Sequence, residues 1–256
     1  MLQKKNITII FSTENGMVAL DSPVKLKILD FIHGQSRSFE EVVNECCKAK
    51  STISVHLRDL VMQNIILEQK DPSDKRKKYY SLNSQFIAYS QMPMQNCYNR
   101  IMDKLMDTVD SDNSEMEFFR TLCHTIRYGL EAYGMNPKPV FKKIGNDIGQ
   151  KMGRFFVAGS IEELLPEMAG FWQLHGLGEI EVYNLDPLTL IVHDCFDCSD
   201  MPDVGRTLCA LVEGIIEGIF EASLKLPVKA KEVECFGTGH NHCKFEIRIF
   251  EIRILD

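Results

Sequence analysis

The sequence predicts an α+β protein with two domains joined by a helical connector. A chain of 256 residues is long enough for two domains, and helical periodicity gives way to paired strands twice along it. The charge also divides, because residues 1–90 carry 13 Lys and Arg against 10 Asp and Glu, whereas the other residues carry 16 against 26. We therefore expect a first domain over residues 1–90, a connector over 91–119 and a second domain over 120–256.

Composition and hydropathy argue against a membrane or secreted protein. The chain is 45% hydrophobic and 25% charged, which is ordinary for a globular protein. No apolar run approaches the roughly 18 residues of a transmembrane helix, and the first residues lack the apolar core and cleavage site of a signal peptide. We expect a cytoplasmic protein with no membrane partner. Thiols stay reduced there, so cysteine clusters bind metals or change redox state.

Three helices are predicted in the first domain. Ser22-Pro23 is typical of a helix start, and this first helix stops at Gly34. Ser38 with Glu41 three residues later forms a capping box that begins a short second helix ending near Cys47. Ser51 is expected to cap a third helix that runs to about Asn64.

The second and third helices together predict a helix-turn-helix. The third helix has one apolar face, and its polar residues lie on the others. The second helix of such a pair can enter the major groove and present its N-terminal residues to base edges. The candidate base contacts are Ser51, Thr52, Ser54, Val55 and Arg58, with Lys48 and Lys50 near phosphates.

A hairpin follows the helices. Residues 65–70 and 77–82 are predicted strands, and the turn-rich segment 71–76 joins them. A short basic run is usually a solvated surface, but a cationic hairpin beside a helix-turn-helix can reach phosphate or the narrower groove. We therefore expect the wing residues Lys75, Arg76, Lys77 and Lys78 to contact DNA.

The block from Leu20 to Leu82 resembles the winged helix-turn-helix of ArsR-type transcriptional regulators. The phrase Ser51-Thr-Ile-Ser-Val-His-Leu-Arg-Asp-Leu60 is similar to that family's recognition helix, S-x-x-S-x-H-L-x-x-L. The resemblance implies binding to double-stranded promoter DNA. The Cys-x-Cys pair of the metal-sensing members is absent, and we expect Cys46 and Cys47 to be core or helix-surface residues.

The connector combines a polar segment with an amphipathic helix. Residues 83–93, ending in Pro93, are expected to form a hinge. An apolar stripe then recurs at steps of four, three, four and four residues, and a loop over 110–114 ends it. The stripe could pair with its twin in a homodimer that reads a palindrome, or it could pack on its own chain. Its residues are Met94, Tyr98, Ile101, Leu105 and Val109.

Helices and hairpins also alternate in the second domain, which predicts an antiparallel sheet covered by helices. The predicted helices span residues 140–158, 161–174 (with Pro166 inside) and 205–224. The predicted strands span residues 180–185, 189–193, 229–235 and 244–254.

Five of the nine cysteines lie between residues 195 and 243. Thiolates are soft metal ligands and redox-active groups. Cys195 and Cys198 form a C-x-x-C pair that we expect to be separate from the other three. Asp194 and Asp197 would raise the pKa of these thiols, but cysteines at this spacing can form a strained, labile disulfide. We therefore predict a redox role for Cys195 and Cys198, with exchange to Cys235 or Cys243 also possible.

The second domain resembles the 4-vinyl-reductase-type sensor domain. Glu232-Val-Glu-Cys235, Gly237, Gly239, Cys243 and Phe245 carry the likeness. In zinc-containing members, a helix cysteine joins a Glu-x-x-Cys and a cysteine eight residues later. This implies a zinc site of Cys209, Glu232, Cys235 and Cys243, a set suited to tetrahedral Zn²⁺. Glu234, His240 and His242 are alternative ligands.

Together the two resemblances are similar to the MsvR family of redox-responsive regulators of methanogens. The likeness implies an archaeal homodimer that binds promoters, its own included, as a redox-controlled autoregulator or repressor. The alternative is a repressor with structural zinc that responds to a small hydrophobic effector, bound near Phe155, Phe156, Phe171 and Trp172. We expect no enzyme activity and no catalytic residue, because the chain lacks a nucleotide-binding glycine motif and a nucleophile–base signature.

Overall fold

The computed structural model describes residues 7–110, 115–199, 201 and 203–250. The chain divides into a first unit, Met1–Met92, and a second unit, Pro93–Asp256. The segment predicted as a connector therefore belongs largely to the second unit. The loop predicted over 110–114, the side chain of Val109 and the end of the strand predicted over 244–254 lie outside the described residues.

The first unit contains the three predicted helices, α1 Pro23–Ile32, α2 Phe39–Cys46 and α3 Lys50–Met62. The capping box of α2 is confirmed, since Ser38 and Glu41 exchange both hydrogen bonds. The predicted cap of α3 is wrong. The helix begins one residue before Ser51, with Ala49 at the cap position and no side-chain hydrogen bond there.

The three helices pack around one apolar core. The helix faces predicted from periodicity are the buried ones, because every third or fourth residue is apolar. Burying these side chains stabilises the unit by roughly 1.5–3 kcal/mol for each large residue. The residues exposed by no more than 1% are Ile28, Ile32, Val42, Ile53, Leu57, Leu60, Ile65 and Ile66.

Two small sheets complete the first unit. In the wing sheet, β4 Ile66–Lys70 pairs with β5 Lys78–Leu82, which pairs in turn with β3 Arg37–Ser38. The other sheet pairs β1 Ile9–Thr13 with β2 Gly16–Leu20 and with β6 Gln85–Ser90. The hinge expected over residues 83–93 is therefore mostly a strand. It forms because Ala88 turns into the unit while Phe86 packs on Phe11.

Helix α4, Gln95–Asp110, answers the question that the apolar stripe left open. It packs on α5, Glu115–Ala132, and buries Ile101, while Tyr98 packs against the core of the second unit. The stripe therefore contacts its own chain. The short strand β7, Met135–Asn136, follows α5.

The rest of the second unit is the predicted combination of helices and an antiparallel sheet. Its helices are α6 Lys138–Met152, α7 Ile161–Leu174 and α8 Ala210–Leu224. The sheet order is β10-β11-β9-β8, with β8 Glu179–Leu185, β9 Leu188–His193, β10 Val228–Glu234 and β11 Cys243–Ile249. The predicted helix over 205–224 is shorter than expected, because residues 205–209 form an irregular segment before α8.

Glycines allow α6 and α8 to lie unusually close together. A Cβ atom at Gly149 would lie 2.2 Å from the carbonyl oxygen of Ile215, and one at Gly214 would lie 2.0 Å from that of Lys142. Real Cβ atoms do not approach backbone atoms so closely, so only glycine permits this crossing. The spacing of four residues, Gly145 to Gly149 and Gly214 to Gly218, places them on facing stripes. The crossing fixes α8, and with it the segment that carries Cys209.

None of the described helices combines the length and the apolar character that crossing a membrane requires.

Candidate metal centre and nucleic-acid interface

Four thiols and one carboxylate meet inside the second unit. Cys198 follows β9, Cys209 immediately precedes α8, and Glu232 lies near the end of β10. Cys235 follows that strand and Cys243 begins β11. One donor atom from each of these five residues lies within 4.8 Å of all the others. The cluster therefore contains the four predicted ligands and adds Cys198.

A tight turn between β10 and β11 brings Cys235 and Cys243 together. The backbone N–H of Cys235 donates to the hydroxyl of Thr238 at 2.9 Å, and its carbonyl accepts from His240 at 3.1 Å. Gly239 adopts φ +81°, a left-handed conformation that favours glycine. Cys243 then pairs with Val192 on β9, so its side chain is fixed by the sheet.

The sulfur atoms are spaced as ligands of one ion would be. Sγ of Cys198 lies 3.0 Å from that of Cys243 and 3.6 Å from that of Cys235, and Cys209 lies 3.7 Å from Cys243. A tetrahedral zinc with Zn–S bonds of about 2.3 Å holds its sulfurs about 3.8 Å apart. All four cysteines are fully buried. The donor set fits zinc because thiolates are its preferred soft ligands.

Glu232 is a buried carboxyl group with half of its bonding capacity unused. Its Oε2 accepts a hydrogen bond from the backbone N–H of Cys209 at 2.8 Å. Its Oε1 has no hydrogen-bond partner among the described residues. Burial and the adjacent Cys235 raise the pKa of Glu232 to about 9. A cation would satisfy the unpaired oxygen and favour the ionised form.

Cys195 lies beside the cluster rather than apart from it. Its Sγ is 3.7 Å from that of Cys209, and its side chain is as buried as that of Cys198. The sequence analysis expected a pair separate from the other cysteines, whereas the structure joins both residues to them. Hydrogen bonding with Cys198, Cys209 and Cys243 lowers the pKa of Cys195, and its interaction with Cys195 raises the pKa of Cys198.

Helix α5 supports the C-x-x-C loop through polar residues that the sequence analysis missed. Asp197 and Arg127 form a buried ion pair, and Nη1 of Arg127 also donates to the Asp197 carbonyl at 3.3 Å. His124 Nε2 donates to the same carbonyl at 2.7 Å. Burial raises the pKa of Asp197 to about 7, although Arg127 opposes this. Burial lowers the pKa of His124 to about 3.

The alternative ligands lie outside the donor cluster. Glu234 pairs with Nε2 of His242 at 2.8 Å and with Lys244 at 3.3 Å. His240 is exposed and hydrogen-bonds Thr238. These groups satisfy one another near the surface, so the geometry gives no support to them as ligands.

The candidate DNA contacts of α3 share one exposed face. Ser51, Thr52, Ser54, Val55 and Arg58 are exposed, while the intervening Ile53 and Leu57 are buried. An exposed Val with 52% of its surface accessible costs free energy in water and could contact a thymine methyl group. Of the two lysines at the helix start, Lys50 pairs with Glu40 at 2.7 Å, whereas Lys48 has no salt bridge among the described residues.

The four wing cations differ in their pairing. Lys78 pairs with Glu68 at 2.8 Å, and Arg76 pairs with Asp74 at 3.1 Å. Lys75 and Lys77 are exposed and form no salt bridge within the part of the chain that the structure describes. Asp71 accepts backbone bonds from Ser73 and Asp74, which fixes the loop. The unpaired cations on a fixed loop are Lys75 and Lys77.

Comparisons with known proteins agree with both regions. The model of the bacterial regulatory protein arsR family matches residues 22–67, and that of the 4-vinyl-reductase domain matches residues 188–249. Uncharacterized protein MJ0150 of Methanocaldococcus jannaschii is 30% identical over 131 residues, covering 50% of this chain and 75% of that protein. The chain belongs to the same family as MJ0150. It combines an ArsR-family helix-turn-helix with a 4-vinyl-reductase domain.

Two further similarities are more limited. Uncharacterized protein MJ1642 of the same organism is 33% identical over 85 residues, 33% of this chain and 53% of that protein. The crystal structure of a vinyl-4-reductase family protein from that organism covers 61% of this chain and 94% of its own, with 16% identity and a TM-score of 0.38. At that TM-score the likeness supports no inference about this chain.

The aromatic residues proposed to enclose a hydrophobic effector are divided between core and surface in the second unit. Trp172 is fully buried, and Phe156 and Phe171 pack edge to face with centroids 5.8 Å apart. Phe155 is 82% exposed. The group is therefore packed protein rather than the wall of a described cavity.

Proposed function

We propose that this chain is a redox-sensing transcriptional regulator of the MsvR kind. It binds promoter DNA, its own included, as a homodimer and represses transcription. The observation that carries the proposal is the buried cluster of five cysteines in a 4-vinyl-reductase domain that shares a chain with an ArsR-family helix-turn-helix. A regulator of this kind binds and releases DNA but catalyses no reaction, so we expect no turnover.

Zinc is the proposed resident metal, with Cys209, Glu232, Cys235 and Cys243 as its ligands. The fit is supported by the sulfur spacing and by the unpaired Oε1 of Glu232. Bound zinc would supply a structural crosslink between α8 and the β10–β11 hairpin. Cys198 is then the thiol within reach of the ligands that remains free to react.

The redox step is proposed to begin at Cys195 and Cys198. The shortest sulfur–sulfur distance in the cluster joins Cys198 to Cys243, at 3.0 Å. Oxidation of these two thiols forms one S–S bond, releases two protons and passes two electrons to an oxidant such as a peroxide or a small disulfide. Because Cys243 is also a proposed ligand, the same step removes one ligand from the metal. Oxidation therefore changes the packing of the core next to α8.

In the first unit, α3 is proposed to read the major groove. Its exposed residues would contact base edges, and Lys75 and Lys77 on the wing would contact phosphates. The second unit is acidic, so electrostatics confine DNA binding to the first. Two copies would place two α3 helices on a palindrome.

The decisive experiment compares oxidant sensitivity among single cysteine variants. Binding to DNA from upstream of the chain's own gene is measured before and after peroxide treatment, with zinc counted in each sample. Wild type and Cys47→Ser, a change at an exposed cysteine, should show at least a tenfold change in affinity on oxidation. Cys198→Ser should retain zinc and lose most of the response.

Two outcomes contradict the proposal. If Cys195→Ser and Cys198→Ser both respond to peroxide as wild type does, the C-x-x-C pair is not the switch. If Cys198→Ser loses its zinc, Cys198 is a ligand, and the proposed division between ligand and reactive cysteines is wrong.

A further inference from the structure

A cleft of about 270 Å³ opens on the second unit, beside the cysteine cluster but outside it. Three elements form its walls: helix α5, the first turn of α6 and the segment that precedes α8. Residues from each wall face the same space. The six that matter here are Arg127, Lys138, Phe141, Arg206, Thr207 and Leu208.

The cleft has donors without acceptors. Arg127 uses its two Nη atoms on Asp197, and Arg206 uses Nη2 on Glu131, which also lines the cleft. The Nε–H of each guanidinium is buried and has no hydrogen-bond partner among the described residues. A buried donor without a partner costs about 1–3 kcal/mol. Since the side chain of Arg127 is only 8% exposed, an oxyanion in the cleft would remove that cost.

The backbone adds to the positive potential. Helix α6 begins at Lys138 and α8 at Ala210, and both residues line the cleft. Each helix has 15 residues, so each presents the positive end of its dipole and unpaired N–H groups there. Lys138 also hydrogen-bonds Thr207 at 3.2 Å, which holds the two walls together.

The remaining walls are apolar. Phe141 lies under the guanidinium of Arg127, with 5.4 Å between its ring centroid and Cζ. Leu208, Pro137 and Ala210 complete this side. An inorganic oxyanion would leave the apolar wall uncovered. A compact organic acid would place its carboxylate on the two Nε–H groups and its body against Phe141 and Leu208.

We propose that this cleft is the effector site of the domain and that it binds a small organic carboxylate. The cleft and the cysteines share supports. Arg127 holds Asp197, which lies between Cys195 and Cys198, and Thr207 and Leu208 lead directly to Cys209. A bound carboxylate would draw Arg127 toward the cleft and order the segment before α8. The effect on DNA binding rests on the proposed function, whereas binding of the carboxylate does not.

Benzoate is a suitable probe, with benzyl alcohol as its neutral counterpart and phosphate as the inorganic anion. Calorimetric titration of the full chain at constant ionic strength should give saturable binding of benzoate, with little binding of the other two. Arg206→Lys keeps a cation beside Glu131 but removes the guanidinium donors, so it should weaken benzoate binding at least tenfold. Lys138→Ala should also weaken it, whereas Lys143→Ala, one helical turn away and paired with Asp147, should not. Thermal melting of each variant checks that it is folded.

The outcomes separate the two proposals. Absence of saturable benzoate binding, tighter binding of phosphate, or unchanged affinity in folded Arg206→Lys would each overturn the carboxylate site. If benzoate binds as expected but leaves promoter affinity unchanged within twofold, the cleft is a carboxylate site without an effector role. If promoter binding itself is absent in all samples, the regulator function fails while the calorimetric result stands.

Discussion

The two units place their candidate functional residues in opposite environments. In the first unit, the side chains proposed to contact DNA are exposed on α3 and the wing, and the core behind them is purely apolar. In the second unit, the proposed metal ligands are themselves core residues. Changes to the first site should therefore alter binding without altering stability, whereas changes to the second should alter both.

The largest effect expected from this contrast is at Cys235. Cys235→Ser replaces a buried ligand, so the second unit should lose its metal and at least about 3 kcal/mol of stability, because binding of a structural metal contributes to folding. Urea unfolding with and without a chelator measures this. Chelation should destabilise wild type about as much as the substitution does, and it should add little to the variant.

Cys123→Ser is the matched control for that measurement, since Cys123 belongs to the same unit but is exposed. It should retain its metal and change stability by less than about 0.5 kcal/mol. Equal metal content in Cys235→Ser and wild type would remove the cluster from consideration as a metal site. The contrast between the two units would then reduce to ordinary packing.

The glycine crossing of α6 and α8 gives the next largest effect. Gly149→Ala forces a methyl group against the Ile215 carbonyl, and we expect a loss of about 2–4 kcal/mol, because neither helix can move without disturbing the core. Gly170→Ala is the matched control, since a Cβ there meets nothing within 4 Å. It should be neutral or stabilise α7 by up to about 1 kcal/mol. Equal melting temperatures for the two variants would show that the crossing is not tight.

Patterns that are local in sequence predicted local structure well. The capping box at Ser38 and Glu41, the bounds of α7 and the hairpin of β8 and β9 follow from caps and periodicity within a few residues. The association of Cys209 with Glu232 and Cys235 came from a family resemblance, and the structure does bring them together. That they ligate a metal is still a prediction.

What the sequence analysis missed depends on contacts between distant residues. Helix α5 was not predicted, since buried polar residues such as His124, Arg127 and Glu131 interrupt its apolar stripe. The place of Cys198 also could not be read from C-x-x-C spacing, because it depends on how Arg127 holds the loop. The glycines of α6 and α8 did carry a signal, a repeated spacing of four, that the analysis did not use.

The wing tests the other side of the comparison. Replacing Lys75 and Lys77 by Ala removes two cations that have no salt bridge among the described residues. Promoter affinity should fall about tenfold, and the slope of log affinity against log salt should fall by about two. Unfolding free energy should stay within about 0.5 kcal/mol. Lys78→Ala should affect binding less, because Lys78 is already paired with Glu68. A loss of stability equal to the loss of affinity would show that the wing is part of the fold.

The smallest effect is a pH dependence confined to the second unit. Burial lowers the pKa of His124 to about 3, whereas an unfolded chain has a histidine pKa of about 6.5. The unfolded state therefore binds more protons below about pH 6.5, and stability falls as the pH falls. Between pH 7.5 and 5.5 this histidine should account for about 1 kcal/mol of lost stability.

His124→Gln isolates that contribution. The amide can still donate a hydrogen bond to the Asp197 carbonyl but does not titrate, so the variant should be less sensitive to pH than wild type over this range. His175→Gln, at an exposed histidine of the same unit, should keep the wild-type dependence. Protonation of metal ligands acts in the same direction, but it is common to all three proteins, so the difference between them reports His124 alone. If His124→Gln keeps the full dependence, the acid sensitivity of the second unit belongs to its cysteine cluster rather than to the polar residues behind it.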